Sequence, residues 1–319
     1  MDAIVLAGGY ATRLWPITRN RPKMLLPVGD ETIIDGILSD LEADDRVSDV
    51  YISTNEYFAD EFRSHIEDSD FEKPQLSIED TADEDSKFGV VGALAQLIER
   101  EGIDDDMLVV AGDNLMGFDI GEFASFFEEA GTPCIAAYDV GSKERATSYG
   151  VVELDGTQVI GFQEKPDNPK STLCSIACYA FPSETLPLFD DYLAEDNNPD
   201  EPGWLMQWLA ERDAVNAFTF DSYWYDVGEA DAYIEAVQWA LENESIVADS
   251  ASVTNSKLGD NVHVMADATV TNAILEDCVV FPGATVEDAA VEWSLIDRES
   301  IVSDVDLQGA LVGEHSKVR

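Results

Sequence analysis

After Asn243 the chain repeats itself every sixteen residues. One column of the repeat reads Val264, Val280, Ile296, Val312; a second reads Val270, Val286, Val302; a third reads Leu275, Val291, Leu307. Within a turn the spacings are six, five and five. Three inward aliphatic positions per turn describe a triangular coil, a parallel β-helix, in which each turn buries its apolar face only on its neighbours. About four such coils fit in residues 245–319. The competing reading, an ordinary sandwich, does not account for a fixed period held in three columns.

Before position 243 the pattern is different. Apolar strands at 3–6, 50–53, 76–78, 107–111 and 134–138 alternate with amphipathic helices at 32–42, 56–67, 92–101 and 120–129. Such alternation predicts βαβ units and a mostly parallel sheet. Strands continue through 150–243, with helices at 204–212 and 230–241. Parallel sheets of this kind bind ligands at the carboxyl ends of their strands. Gly8-Gly9, after the first strand, and the acidic end of VVAGDN at 109–114 lie at two such ends.

The first of these ends is rich in cations. Gly8-Gly9 offers a turn where positive φ can expose backbone N–H groups, and Arg13, Arg19, Arg21 and Lys23 follow. Backbone donors and mobile positive charge are what a triphosphate requires. The clustering is informative because the chain has only 18 basic residues against 66 acidic ones. Four more, Lys143, Arg145, Lys165 and Lys170, fall in one later segment.

The net charge of −48 excludes the basic face that nucleic-acid binding needs. A hydrophobic content of 45%, with dispersed acids, excludes a disordered acidic tail. Adaptation to high salt remains, since a dense acidic surface is screened and hydrated at molar salt. A halophilic archaeon is the expected source. No apolar run is long enough to span a membrane, and the chain starts directly in its first strand. Cys134, Cys174, Cys178 and Cys278 form no CxxC pair, so a reduced, cytoplasmic compartment is expected.

The stretch GGYATRLWPITRNRPKMLLPV resembles the signature of the sugar-1-phosphate nucleotidyltransferases, GG-x-x-x-R-L-x-P-x-T followed by P-K-x-L-L-P-V. The resemblance implies a Rossmann-like α/β core, Mg²⁺, and transfer of a nucleoside monophosphate from an NTP to a sugar 1-phosphate. It makes Leu6, Ala7, Gly8, Gly9 and Gly92 nucleotide-binding. Arg13 would brace the leaving pyrophosphate, with Lys23 nearer the α-phosphate. Asp113 in AGDN and Asp226 in YWYDVG match the family's two metal aspartates. Tyr149, Gly150 and Glu164 would line the sugar pocket, and Lys165 would hold the sugar phosphate. Arg19 and Arg21 read as rim or structural residues. The family also has left-handed β-helices built on hexapeptide repeats, which residues 244–319 resemble with two sides a residue short. The expected division is a catalytic domain at 1–243 and this small β-helix at 244–319.

Two departures leave specificity open. Ser86 and Lys87 stand where a base-reading glutamine or glutamate is usual, and Ala177-Cys178-Tyr179 replaces the family's A-G-x-Y. A glucose-1-phosphate thymidylyl- or uridylyltransferase is the main reading, with dTTP or UTP as donor. The alternatives are a mannose-1-phosphate guanylyltransferase, an enzyme with an acyltransferase tail centred on His263, and a non-catalytic regulatory subunit. Because every motif residue precedes 243, the tail is expected to serve homo-oligomer assembly, and its removal to leave the chemistry possible.

Overall fold

The computed structural model describes residues 1–79 and 89–319. In chain order it begins with strands β1 (Asp2–Leu6), β2 (Pro27–Val28) and β3 (Glu31–Thr32), helix α1 (Asp35–Ala43), β4 (Val50–Asn55), α2 (Ala59–Asp68), β5 (Pro74–Glu79) and α3 (Val90–Glu101). Next come β6 (Met107–Ala111), β7 (Asn114–Met116), α4 (Ile120–Ala130), β8 (Cys134–Asp139), α5 (Lys143–Ala146), β9 (Gly150–Asp155), β10 (Gln158–Glu164) and β11 (Leu173–Phe181). Helices α6 (Leu188–Ala194) and α7 (Pro202–Ala210), strands β12 (Asn216–Phe220) and β13 (Trp224–Asp226), and helix α8 (Ala230–Leu241) follow. The chain forms two compact units. One is Met1–Gly9 with Asp35–Trp224, and the other is Tyr10–Ile34 with Tyr225–Arg319.

The first unit is built on a nine-stranded sheet in the order β5-β4-β1-β6-β11-β8-β12-β10-β9. The predicted alternation of strands and helices is present, and β5, β4, β1 and β6 pair in parallel. The sheet as a whole is mixed rather than mostly parallel. β11 runs antiparallel to β6 and β8, and β10 runs antiparallel to β9 and β12. Connection length accounts for the β9–β10 pair, because parallel neighbours need a crossover of a dozen or more residues and that link is a tight turn. Ile4, Val109, Ile135, Tyr179, Leu205 and Met206 are buried in one core that joins the sheet to α3 and α7. All four cysteines are buried and free.

The second unit contains the β2–β3 hairpin, α8 and a stack of short parallel strands. One ladder runs Ser252–Thr254, Thr269–Thr271, Thr285–Glu287, Ile301–Ser303, Lys317–Val318. From Thr269–Thr271 onward, partners in successive strands of this ladder are sixteen residues apart, as in Val270↔Val286 and Val286↔Val302. The three aliphatic columns meet in a single core, with Val264, Val270, Leu275, Val280 and Val286 fully buried. The chain turns at isolated left-handed residues, Asn261, Asp267, Asn272, Asp277, Gly283, Asp288, Trp293 and Glu299, of which Asp277 and Trp293 lie within strands. These corners recur at six, five and five residues, the spacing of the columns, and Asn, Asp and Gly tolerate that conformation best. Among the described residues, no helix is long and apolar enough to cross a membrane.

Candidate active site

In the first unit, the end of β1 is held on both sides. The Ala7 amide donates to the Ser53 carbonyl (2.7 Å), and the Gly112 amide donates to the Leu6 carbonyl (2.9 Å). Asn55 Nδ2 donates to the Gly8 carbonyl (2.9 Å). Neither Gly8 nor Gly9 has a positive φ; the left-handed residue of this segment is Ala11, at 47°. At Gly8 the close neighbour is a side chain. A Cβ there would stand 2.6 Å from Glu79 Oε1, a carboxylate that also accepts from Ser53 Oγ (3.1 Å). A Cβ on Gly9 would meet nothing within 4 Å. Gly92 is buried in the first turn of α3. Ser86 and Lys87 lie outside the described residues.

Asp113 follows β6, where a buried strand ends. Asn114 Nδ2 donates to Asp113 Oδ1 (2.9 Å), and Asn114 Oδ1 accepts from the indole Nε1 of Trp224. The Trp224 ring in turn meets Tyr149 edge-on, with centroids 4.9 Å apart. One continuous series of contacts therefore links Asp113 to Tyr149.

The Lys165 amide donates to the Tyr149 carbonyl (3.1 Å), and Lys165 has a φ of 42°. Its ammonium pairs with Glu201. Gly150 and Gly203 form a close wall against the neighbouring carboxylate. A Cβ on Gly203 would fall 1.7 Å from Glu164 Oε2, and one on Gly150 would fall 2.9 Å from it. Burial, reinforced by the Glu201 charge, pushes the Glu164 carboxyl up to about 7. Glu201 and Gly203, at the start of α7, were not identified from sequence; the only signal was the string Glu-Pro-Gly, which reads equally well as a plain helix start.

The other predicted residues belong to the second unit. Arg13 is exposed on the 3₁₀ turn Thr12–Leu14, and a Cβ on Gly228 would lie 3.1 Å from its Nη2. Gly228 closes the YWYDVG string that holds half-buried Asp226. Lys23 is buried on the 3₁₀ turn Lys23–Leu25. Arg19 lies over the Trp15 ring, whereas Arg21 is buried and pairs with Asp297.

Residues 2–243 match the family model described as nucleotidyl transferase. The chain belongs to that family. Across 285 residues it is 28% identical to a Sulfolobus acidocaldarius protein named as a candidate mannose-1-phosphate guanyltransferase, covering 86% of this chain and 76% of that one. It is also 28% identical to a glucose-1-phosphate thymidylyltransferase of Streptomyces griseus, covering 100% of this chain and 93% of the relative. A solved Bacillus anthracis structure, named as a candidate glucose-1-phosphate thymidylyltransferase in complex with a sucrose, matches with a TM-score of 0.65 and 25% identity. That match covers 75% of this chain and 95% of the other. The first unit thus places a carboxylate at Asp113 that accepts from Asn114, and at Glu164 a carboxyl raised to about 7, walled by Gly150 and Gly203.

Proposed function

We propose that this nucleotidyl transferase transfers a nucleoside monophosphate from dTTP or UTP to glucose 1-phosphate and releases pyrophosphate. The observation that carries the reading is the series of contacts from Asp113 through Asn114 and Trp224 to Tyr149, with Gly150, Glu164 and Lys165 around it. It joins the residues that the family motif gives to the nucleotide with those it gives to the sugar phosphate. A phosphate oxygen of the sugar attacks the α-phosphorus, and the bond to the bridging β-phosphate oxygen breaks as pyrophosphate departs with its electron pair. Two anions meet in this step, so positioning and charge neutralisation carry the catalysis. Arg13 steadies the pyrophosphate, Lys23 the α-phosphate, and Lys165 the sugar phosphate. Glu164 accepts from a sugar hydroxyl.

Asp113 and Asp226 suit Mg²⁺, because hard carboxylate oxygens are its preferred protein donors and phosphate oxygens complete its shell. The ion, when bound, would offset charge on the phosphates. We read residues 1–243 as the catalytic domain. The periodic stack at 244–319 is read as a left-handed β-helix that supports assembly into a homo-oligomer in the cytoplasm.

A second reading, GTP with mannose 1-phosphate, is favoured by the Sulfolobus relative. Pyrophosphate release across a matrix of nucleoside triphosphates and sugar 1-phosphates, in high KCl with Mg²⁺, separates the two. Lys165→Ala is expected to raise KM for the sugar phosphate and Arg13→Ala to raise KM for the nucleotide. No release with any pair would overturn nucleotidyl transfer.

A further inference from the structure

Residues 10–34 carry Arg13 and Lys23, yet they fold as part of the unit that contains the C-terminal stack. The attachments are specific. Arg21 is buried, donates from Nε to the Ile17 carbonyl (2.9 Å), pairs with Asp297, and lies 4.5 Å over the Phe281 ring. Asp297 is itself 1% exposed and accepts from the Arg298 amide (2.7 Å). Before Arg21 in the chain, Asn20 bonds Glu314, and Pro16 fills the space a Cβ on Gly313 would need. The Tyr233 hydroxyl donates to the Pro27 carbonyl (2.6 Å).

We infer that Arg21 and Asp297 are positioning residues that hold the Arg13–Lys23 segment on the C-terminal stack in the geometry that receives a nucleoside triphosphate. The inference rests on the nucleotidyl-transfer reading. It also gives the tail a part in the reaction, contrary to the expectation that the chemistry survives its removal. The physical argument is one of cost. A buried guanidinium is tolerated only when it is paired and hydrogen-bonded, and removing its partner leaves the charge stranded. Burial and nearby Arg298 pull Arg21 down to about 10, still well above neutral pH, so the guanidinium stays charged and its buried pairing with Asp297 is what offsets that charge. If the pair is lost, the segment has reason to leave this position, and two cations needed by the triphosphate move with it.

The test compares Asp297→Asn, Glu314→Gln and a control, Val286→Ala, which cuts the stack core without touching these contacts. For Asp297→Asn, hydrogen exchange over residues 10–34 is expected to quicken. KM for the nucleotide should rise about tenfold, the scale expected from a displaced binding group, while KM for the sugar phosphate stays within about twofold. Glu314→Gln, at an exposed contact, should show the same selectivity more weakly. Val286→Ala should lower the unfolding midpoint and leave both KM values alone. Unchanged exchange over 10–34 in Asp297→Asn would overturn the attachment. Equal rises in both KM values, or a control with the same selectivity, would overturn the positioning role. A wild-type enzyme that releases no pyrophosphate would instead refute the nucleotidyl-transfer reading, and exchange would still decide the attachment.

Discussion

Glu164 sits where two effects act in the same direction. Burial penalises its charged form, and Glu201 adds a like charge, while Lys165 only partly offsets them. Its ordinary value of 4.5 is raised to about 7 on folding. The stability this group contributes is therefore complete below about 4.5 and lost as pH rises through about 7. Thermal unfolding followed from about pH 5 to 8 should show a falling midpoint in the wild type and a flatter profile in Glu164→Gln. Glu201→Gln should shift the fall to lower pH, because it removes the like charge. At this scale the motif residues were legible, since Asp113, Glu164 and Lys165 each sit in a short string with a fixed neighbour. Their partners were not. Glu201 and Gly203 reach Lys165 and Glu164 from more than thirty residues along the chain, and Glu79 reaches Gly8 from seventy-one residues away.

At the scale of elements, period was the dependable signal. The strands at 107–111 and 134–138 and the helix at 230–241 appear almost as read, and all three columns of the stack point inward. What failed was strand direction, because a period of two says which residues face the core and nothing about which way a neighbour runs. The first helix begins at Asp35 rather than 32, since the β2–β3 hairpin takes up Glu31–Thr32. The stack makes a quantitative prediction. Val286 is fully buried between Val270 and Val302, so Val286→Ala removes two methyl groups and leaves a gap. A loss of about 2 kcal/mol is expected, measured by denaturant unfolding at constant high salt.

For the whole molecule, charge outweighs any single contact. With a formal charge of −48, carboxylates repel over about 10 Å at 0.1 M salt but only about 3 Å at 1 M. That repulsion favours expansion. Circular dichroism during dialysis from molar KCl to about 0.1 M should therefore show the unfolding midpoint falling steadily. A constant midpoint would refute the reading of the acidic surface as a salt adaptation. At the same scale lies the grouping of Tyr10–Ile34 with Tyr225–Arg319, which cuts across the boundary at 243 where the periodicity changes.

The sequence alone determined which segments are strands, where the repeat begins, and which short strings match the family's phosphate, sugar and metal elements. Each of these is local, set by side-chain alternation, spacing or a motif within a few tens of residues. Only the tertiary structure decided that the sheet is mixed, that Gly8 yields space to Glu79, that Glu201 and Gly203 enclose the Glu164–Lys165 pair, and that Arg21 is bound by Asp297. Those outcomes depend on contacts between residues far apart in the chain. Their energies, from desolvation, ion pairing and close packing, exist only once folding has brought the partners together.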